Sequence, residues 1–439
     1  MTWVCSIAIE AEIQSSTYSN EPALHPSTKM VLPAVLAKIM ILAIGTSMWI
    51  WMEAYVKVQV ALHGQAILEP HRRSEPPEFK DSKLGMHAYA KVNGINMHYV
   101  HKGCDSRNAN RPIALLLHGF LDFWFIWNRQ IPTLGEHFCV VVPDLRGYGL
   151  TTRPGNSADY LMVKLVQDVK ELIEAINPQK KRPVVLVGHD WGGMIGFCLA
   201  TLHEKLIDRM VIVNGMHPKA FSKQLLRSPR QMRMSWYMIP FRHPKVPEQY
   251  LMMRDLAFFD KVHKGFSERE EYAHKYMFSQ NGALTGAINY YRAFNDDKEQ
   301  LNKLPYRKLS VPTLILWGQK DEFLTSPVAT FNQEWLAKST VVFYKHAGHW
   351  LLRECFTTVN QYIIKFAKSG QMITSLRQMN PSNQRQNENT VCALHDAGRH
   401  TSRKRICFAS TRNRHSRFPR RIKIVSCLAL AHCLFTSQR

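Results

Sequence analysis

Three side chains of this 439-residue chain, in the order Asp190, Asp321, His349, have the types and settings to make and break a covalent bond. Asp190 sits in the pattern Gly188-x-Asp190-x-Gly192, behind the apolar run Val184 to Val187 and ahead of a helix that starts near Gly192. A strand, a tight glycine-flanked turn and a helix make a sharp corner that lifts the central side chain clear of the strand end, where it can act as a nucleophile. Asp321 lies four residues beyond Trp317, the last apolar position of "PTLILWG", and His349 lies in "YKHAGHWLLRE", just before a helix start. Singly each is ordinary, because an aspartate after a strand often caps a helix and the chain holds 20 histidines. Together their order and strand-end context match a nucleophile, an orienting acid and a general base. His346 competes for the last role but lies nearer its strand, without the helix-start setting.

Elements must hold these groups together. "IALLLHG" (113–119), "CVVVPD" (139–144), "PVVLVGH" (183–189), "RMVIVNG" (209–215), "PTLILWG" (312–318) and "TVVFYKH" (340–346) are short apolar runs separated by helical patterns. Runs apolar on both faces suit parallel strands between two helix layers, so the expected class is α/β, a mostly parallel doubly wound sheet. The rhythm stops between Asn214 and Leu309, in a stretch rich in Met, Tyr, Phe and Arg. That stretch is too long for a connection and reads as a helical cap over the strand ends. The backbone N–H of Phe120, at the end of the first run, and that of Trp191 would form an oxyanion hole. Asp144, Arg146 and Tyr148 read as loop scaffolding by salt bridge and hydrogen bond.

Residues of roughly 85 to 368 resemble the epoxide hydrolases of the α/β-hydrolase family, in particular the membrane-anchored animal members. The matching segments are "HGFLDFWFIW", "DLRGYGLTTRP", "GHDWGG", "GQKDEF" and "HAGHWL". The resemblance implies that Tyr237 in "SWYMIPFRHP" and Tyr291 in "AINYYRAF" donate hydrogen bonds from the cap to an epoxide oxygen. It further implies a covalent alkyl ester on Asp190, hydrolysed by water that His349 and Asp321 activate, with a lipophilic epoxide, such as a fatty-acid epoxide, and water as partners. Leu121 stands where the family has a proline, Thr151 where it has Ser, and Arg242 where it has Gln. Trp124 and Trp191, with Phe125, Trp127 and the cap aromatics, suit an apolar substrate pocket, although the core is an equal use for them. Two other readings stay open. Haloalkane dehalogenases share "GHDWGG" and would need a cap donor such as Trp236, and a catalytically silent, membrane-tethered lipid-binding protein is the third.

Neither metal nor organic cofactor is called for. The net charge of +23 invites a nucleic-acid reading, but thirteen Lys and Arg lie in residues 370–439 against only Glu388 and Asp396. That segment reads as a basic disordered tail, so no specific nucleic acid is expected. Nine cysteines without C-x-x-C spacing argue against a disulfide framework or zinc site and favour a reducing compartment. Residues 30–52 are apolar except for Lys38 and long enough to cross a bilayer. The expected organisation is thus a leader of uncertain reality over 1–29, an anchor over 30–56, the core over 80–215 and 309–369, the cap over 216–308, and the tail. A single-pass protein of the endoplasmic reticulum with its catalytic part facing the cytosol is the corresponding location.

Overall fold

The computed structural model describes the backbone of residues 28–369 apart from Lys264, and side chains from residue 45 onward with few exceptions. The leader and the basic tail lie outside the described residues.

Eight strands form one sheet in the order β1-β2-β4-β3-β5-β6-β7-β8. β1 (Met86–Val92) and β2 (Ile95–Lys102) form a hairpin that pairs antiparallel with β4 (Cys139–Pro143). β3 (Ile113–Leu117), β5 (Val184–His189), β6 (Arg209–Val213), β7 (Thr313–Gly318) and β8 (Ser339–Tyr344) continue it in parallel from β4. Every residue of β3, β4, β5 and β7 is buried, as the uninterrupted apolar runs require of strands covered on both faces. The six apolar runs are β3 to β8, and the hairpin adds two partly exposed strands at one side of the sheet, with β1 at its edge.

The chain leaves the sheet after β6 and returns at β7. Between them lie the helices Pro218–Arg227, Pro229–Met234, Val246–Val262, Glu268–Phe278, Ala283–Asp296 and Lys298–Lys303. Pro sits in the first turn of three of these, where its missing N–H is harmless. Ser267 and Glu270 form a capping box on Glu268–Phe278.

A disulfide joins Cys104, just past β2, to Cys139 at the start of β4. This corrects the expectation of unpaired cysteines: the β2–β4 pairing brings together two positions whose 35-residue separation carries no pattern in the sequence. Cys198 and Cys355 are buried and lie outside this disulfide. Residues 30–52 fall within the helix Thr28–His63, but their side chains are described only from Gly45. Among the described residues, no helix is long and apolar enough to cross a membrane.

Candidate active site

Asp190 follows β5 and stands immediately before the helix Trp191–His203, with φ 50° and ψ −116° and no side-chain bond to that helix's first turn. Such a positive φ is strained for a residue with a side chain and is sustained by its surroundings. Two glycines make the corner possible. A Cβ on Gly192 would lie 2.3 Å from the Leu117 carbonyl oxygen, and one on Gly119 would lie 2.5 Å from Cβ of Asp190. Only glycine lets three backbone segments approach this closely.

The carboxylate is held at both ends. Its Oδ1 accepts from the Phe120 N–H at 2.9 Å, and its Oδ2 lies 3.7 Å from Nε2 of His349. Nδ1 of His349 is 2.8 Å from Oδ2 of Asp321. Asp321 also accepts from the N–H groups of Phe323 and Leu324 at 2.7 and 2.9 Å, and from Nδ2 of Asn214 at 2.6 Å. Burial works against a charge on Asp321, but the His349 imidazole and these donors hold its carboxyl below the usual range. Burial also opposes the charged form of His349. Asp321 first, then Asp190, outweigh it and push the imidazole up to about 9.

Tyr237, in the turn Trp236–Met238, and Tyr291, in the helix Ala283–Asp296, face Asp190 from the cap. Their rings meet edge-on at 5.6 Å between centroids, and Tyr291 packs on Phe120 at 4.8 Å and on Trp191 at 5.3 Å. Burial, and next the Asp190 charge, raise the Tyr237 phenol; burial, then Tyr237 and Asp190, raise that of Tyr291. Both therefore stay protonated donors. Two chambers meet here. One is lined by Phe120, Leu121, Phe241, Phe258, Phe323 and His349 among others. The second runs along Trp191, Met216, Phe221 and Phe294, and both include Asp190, Tyr237 and Tyr291.

The fold thus gathers Asp190, Asp321, His349, Phe120, Tyr237 and Tyr291, and Trp191 lines the second chamber. Trp124 is a correction. It is fully buried, packs on Phe79 and His87, and lines neither chamber, because its segment turns down into the core. Trp236 also lines neither. Asp144 ties the loops as expected, accepting from Trp124 and Leu150 N–H and meeting Nδ1 of His98 at 2.7 Å, and Arg146 pairs with Asp168. The Tyr148 hydroxyl makes no hydrogen bond among the described residues, and only its ring packs, against His118.

Sequence reasoning missed two supports. Asn214, directly after β6, donates to Asp321 and accepts from the Gly318 N–H at 3.0 Å; a polar residue closing the apolar run "RMVIV" was the available signal. Asp122, fully buried, accepts from Nε1 of Trp350 at 3.2 Å and sits 3.3 Å from Nε2 of His274 and 3.6 Å from Nδ1 of His189. His189 in turn reaches the His349 carbonyl oxygen with Nε2 at 3.1 Å. Burial favours a neutral Asp122, but the two imidazoles hold its carboxyl far below the usual range.

A family profile described as alpha/beta hydrolase fold matches residues 112–354. The chain is 31% identical over 318 residues to "Epoxide hydrolase 4" of Homo sapiens, covering 69% of this chain and 85% of that protein. It is 34% identical over 314 residues to "Epoxide hydrolase 3" of Xenopus tropicalis, covering 68% and 82%. A crystal structure of a Bacillus megaterium epoxide hydrolase in complex with an inhibitor superposes with a TM-score of 0.57 at 27% identity, over 64% of this chain and all of that one. With this core, cap and kinship, the chain belongs to the epoxide hydrolases of the α/β-hydrolase family.

Proposed function

We propose that the chain opens lipophilic epoxides in two steps through an alkyl ester on Asp190. The observation that carries this is the placement of Asp190: one oxygen on a backbone donor, the other toward His349, and two buried phenols across the same cavity. An epoxide offers a strained sp³ carbon and no carbonyl, so a carboxylate can attack it in line without a base. Oδ2 is the free oxygen and makes the new C–O bond, while the ring C–O bond breaks. The developing alkoxide takes a proton from the cap tyrosines, acting as general acids.

The ester carbonyl then belongs to the enzyme, and its oxygen is Oδ1, already on the Phe120 N–H. His349 removes a proton from water as the water attacks Cγ of Asp190, and the N–H groups of Phe120 and Trp191 stabilise the oxyanion. Collapse breaks the Cγ–Oδ2 bond, the leaving alkoxide takes the proton that His349 gained, the diol departs, and the carboxylic acid left on Asp190 returns its proton to the tyrosinate formed in the first step. Alkylation also removes the Asp190 charge that helps keep His349 protonated, so the same event that creates the ester readies its base. The nucleophile's own reaction times the second step.

The substrate class rests on the two apolar chambers that meet at Asp190 and the tyrosine pair. They suit an internal epoxide with a chain on each carbon, as in a fatty-acid epoxide. Residues 30–52 would tether the enzyme to a membrane, such as the endoplasmic reticulum with the active site toward the cytosol, where such substrates dissolve.

The test is His349→Gln incubated with a long-chain internal epoxide and separately with a bromoalkane, followed by intact mass. An adduct from the epoxide, mapped to the Asp190 peptide, is expected. An adduct from the bromoalkane alone would move the activity to dehalogenation, and none from either would leave a silent binding protein.

A further inference from the structure

The cap helix Val246–Val262 is broken in the middle. Met253 is extended (φ −51°, ψ 143°), and Arg254, Asp255 and Leu256 come next with φ of 53°, 59° and 61°. Three successive left-handed residues without a glycine are unfavourable, since each Cβ crowds its neighbouring carbonyl. Such a turn persists only when contacts outside it over-determine the conformation. Leu256 is fully buried, which anchors one side.

The other side is held by the chain segment that precedes the sheet. Asp255 accepts from the His71 N–H at 2.9 Å and from the Arg73 guanidinium, whose side chain is itself buried and also donates to the His71 carbonyl oxygen at 3.0 Å. Arg254 donates to Oε1 of Gln59 at 2.7 Å. Met253 packs into a small separate cluster with Val56 and Leu68, and Tyr55 lies against Tyr250. Every residue of the turn except Leu256 is thus tethered to residues 56–73.

The half-helix beyond the turn faces the chemistry. Phe258 and Val262 line the chamber that holds Asp190, Tyr237 and His349, and Phe259 between them is fully buried. The direction of this half-helix is set by the three left-handed residues, because each fixes the exit angle of the chain. We propose that residues 56–73 act as a strap that holds the left-handed turn at Arg254–Leu256, and thereby positions Phe258 and Val262 to set which epoxides the chamber admits. Arg73 is the principal positioning residue. It touches neither substrate nor nucleophile.

The experiment uses the full-length chain and two readouts. Amide hydrogen exchange over residues 250–262 reports the turn without any turnover. The ratio of kcat/KM for a long-chain internal epoxide to that for styrene oxide reports the chamber, and only this second readout rests on the proposed function. Arg73→Ala is expected to quicken the exchange and to shift the ratio by roughly three- to tenfold. Adding Arg254→Gly, which accepts positive φ without strain, is expected to restore both. Unchanged exchange in Arg73→Ala overturns the proposal, as does faster exchange with an unmoved ratio, which would make the strap merely structural. Failure of Arg254→Gly to restore overturns the strain argument. If wild type turns over neither epoxide, the functional reading falls and exchange alone decides this one. Should Arg73→Ala not fold, Gln59→Ala loosens the second tether and is read the same way.

Discussion

The Phe120 N–H reaches Oδ1 of Asp190 at 2.9 Å across 70 residues of chain. That bond joins the end of β3 to the corner after β5, two neighbouring parallel strands whose C-terminal ends emerge side by side. It fixes which carboxylate oxygen is left for the substrate. In the proposed mechanism the same donor would meet the ester carbonyl oxygen, so one hydrogen bond would serve both steps.

The two cap phenols are the groups proposed to donate to the ring oxygen. Tyr237→Phe and Tyr291→Phe are each expected to slow ester formation by about 10- to 100-fold, and the pair to slow it further. Single-turnover kinetics on the His349→Gln background isolate that step. Because the rings and their edge-on packing are kept, melting temperatures should hardly move. Unchanged ester formation in both single variants would remove the tyrosines from the mechanism.

His349 is expected to respond to the charge on Asp190. Nuclear magnetic resonance titration of wild type should place its imidazole near 9, raised from an ordinary 6.5, and Asp190→Asn should lower it. The sign also bears on folding. Stability from this raised value is fully present below pH 6.5 and is lost as pH rises through about 9. Ester hydrolysis needs the neutral imidazole, so its rate should climb with pH through a value lower than that of the free enzyme. A titration unmoved by Asp190→Asn would separate the two groups electrically.

Asn214→Ala removes a donor from Asp321 and an acceptor from the Gly318 N–H, both buried. Groups left unpaired in this way cost about 1–3 kcal/mol each. The variant should lose stability on that scale in urea, and it should slow hydrolysis of the ester more than its formation, because Asp321 acts only through His349. Equal slowing of both steps would point to a general disturbance of the corner.

Leu121, next to Phe120, has φ 59° and is buried, and its peptide bond is not cis. Proline fixes φ near −65°. Leu121→Pro, although it restores the residue common in the family, should therefore destabilise the chain by more than about 1 kcal/mol and reduce turnover. A more stable or more active variant would mean that the loop can adopt the family's turn.

The Asp190 corner, its neighbours Asp321 and His349 and the sheet were legible because they rest on local rules. Buried parallel strands must be apolar throughout, a sharp corner must have glycines where backbones touch, and a triad's members must sit at strand ends in a particular order. The cap tyrosines came only through resemblance, since a Tyr-rich helical insertion offers many equivalents.

Other features were invisible for a physical reason: they join positions distant in sequence whose types are unremarkable alone. Nothing in "VIVNG" says that Asn214 reaches Asp321, 107 residues on. Trp124 stands in the same box as Phe120, yet the chain's turn after Leu121 sends it into the core. The Cys104–Cys139 bond exists because β2 pairs with β4 rather than because of spacing. Sequence alone determined which chemical groups this chain presents at its strand ends, because that depends on residue types and their order along strands. Only the tertiary structure decided what holds and encloses that chemistry, because hydrogen bonds and cavities depend on which distant segments the sheet and cap bring within a few ångströms.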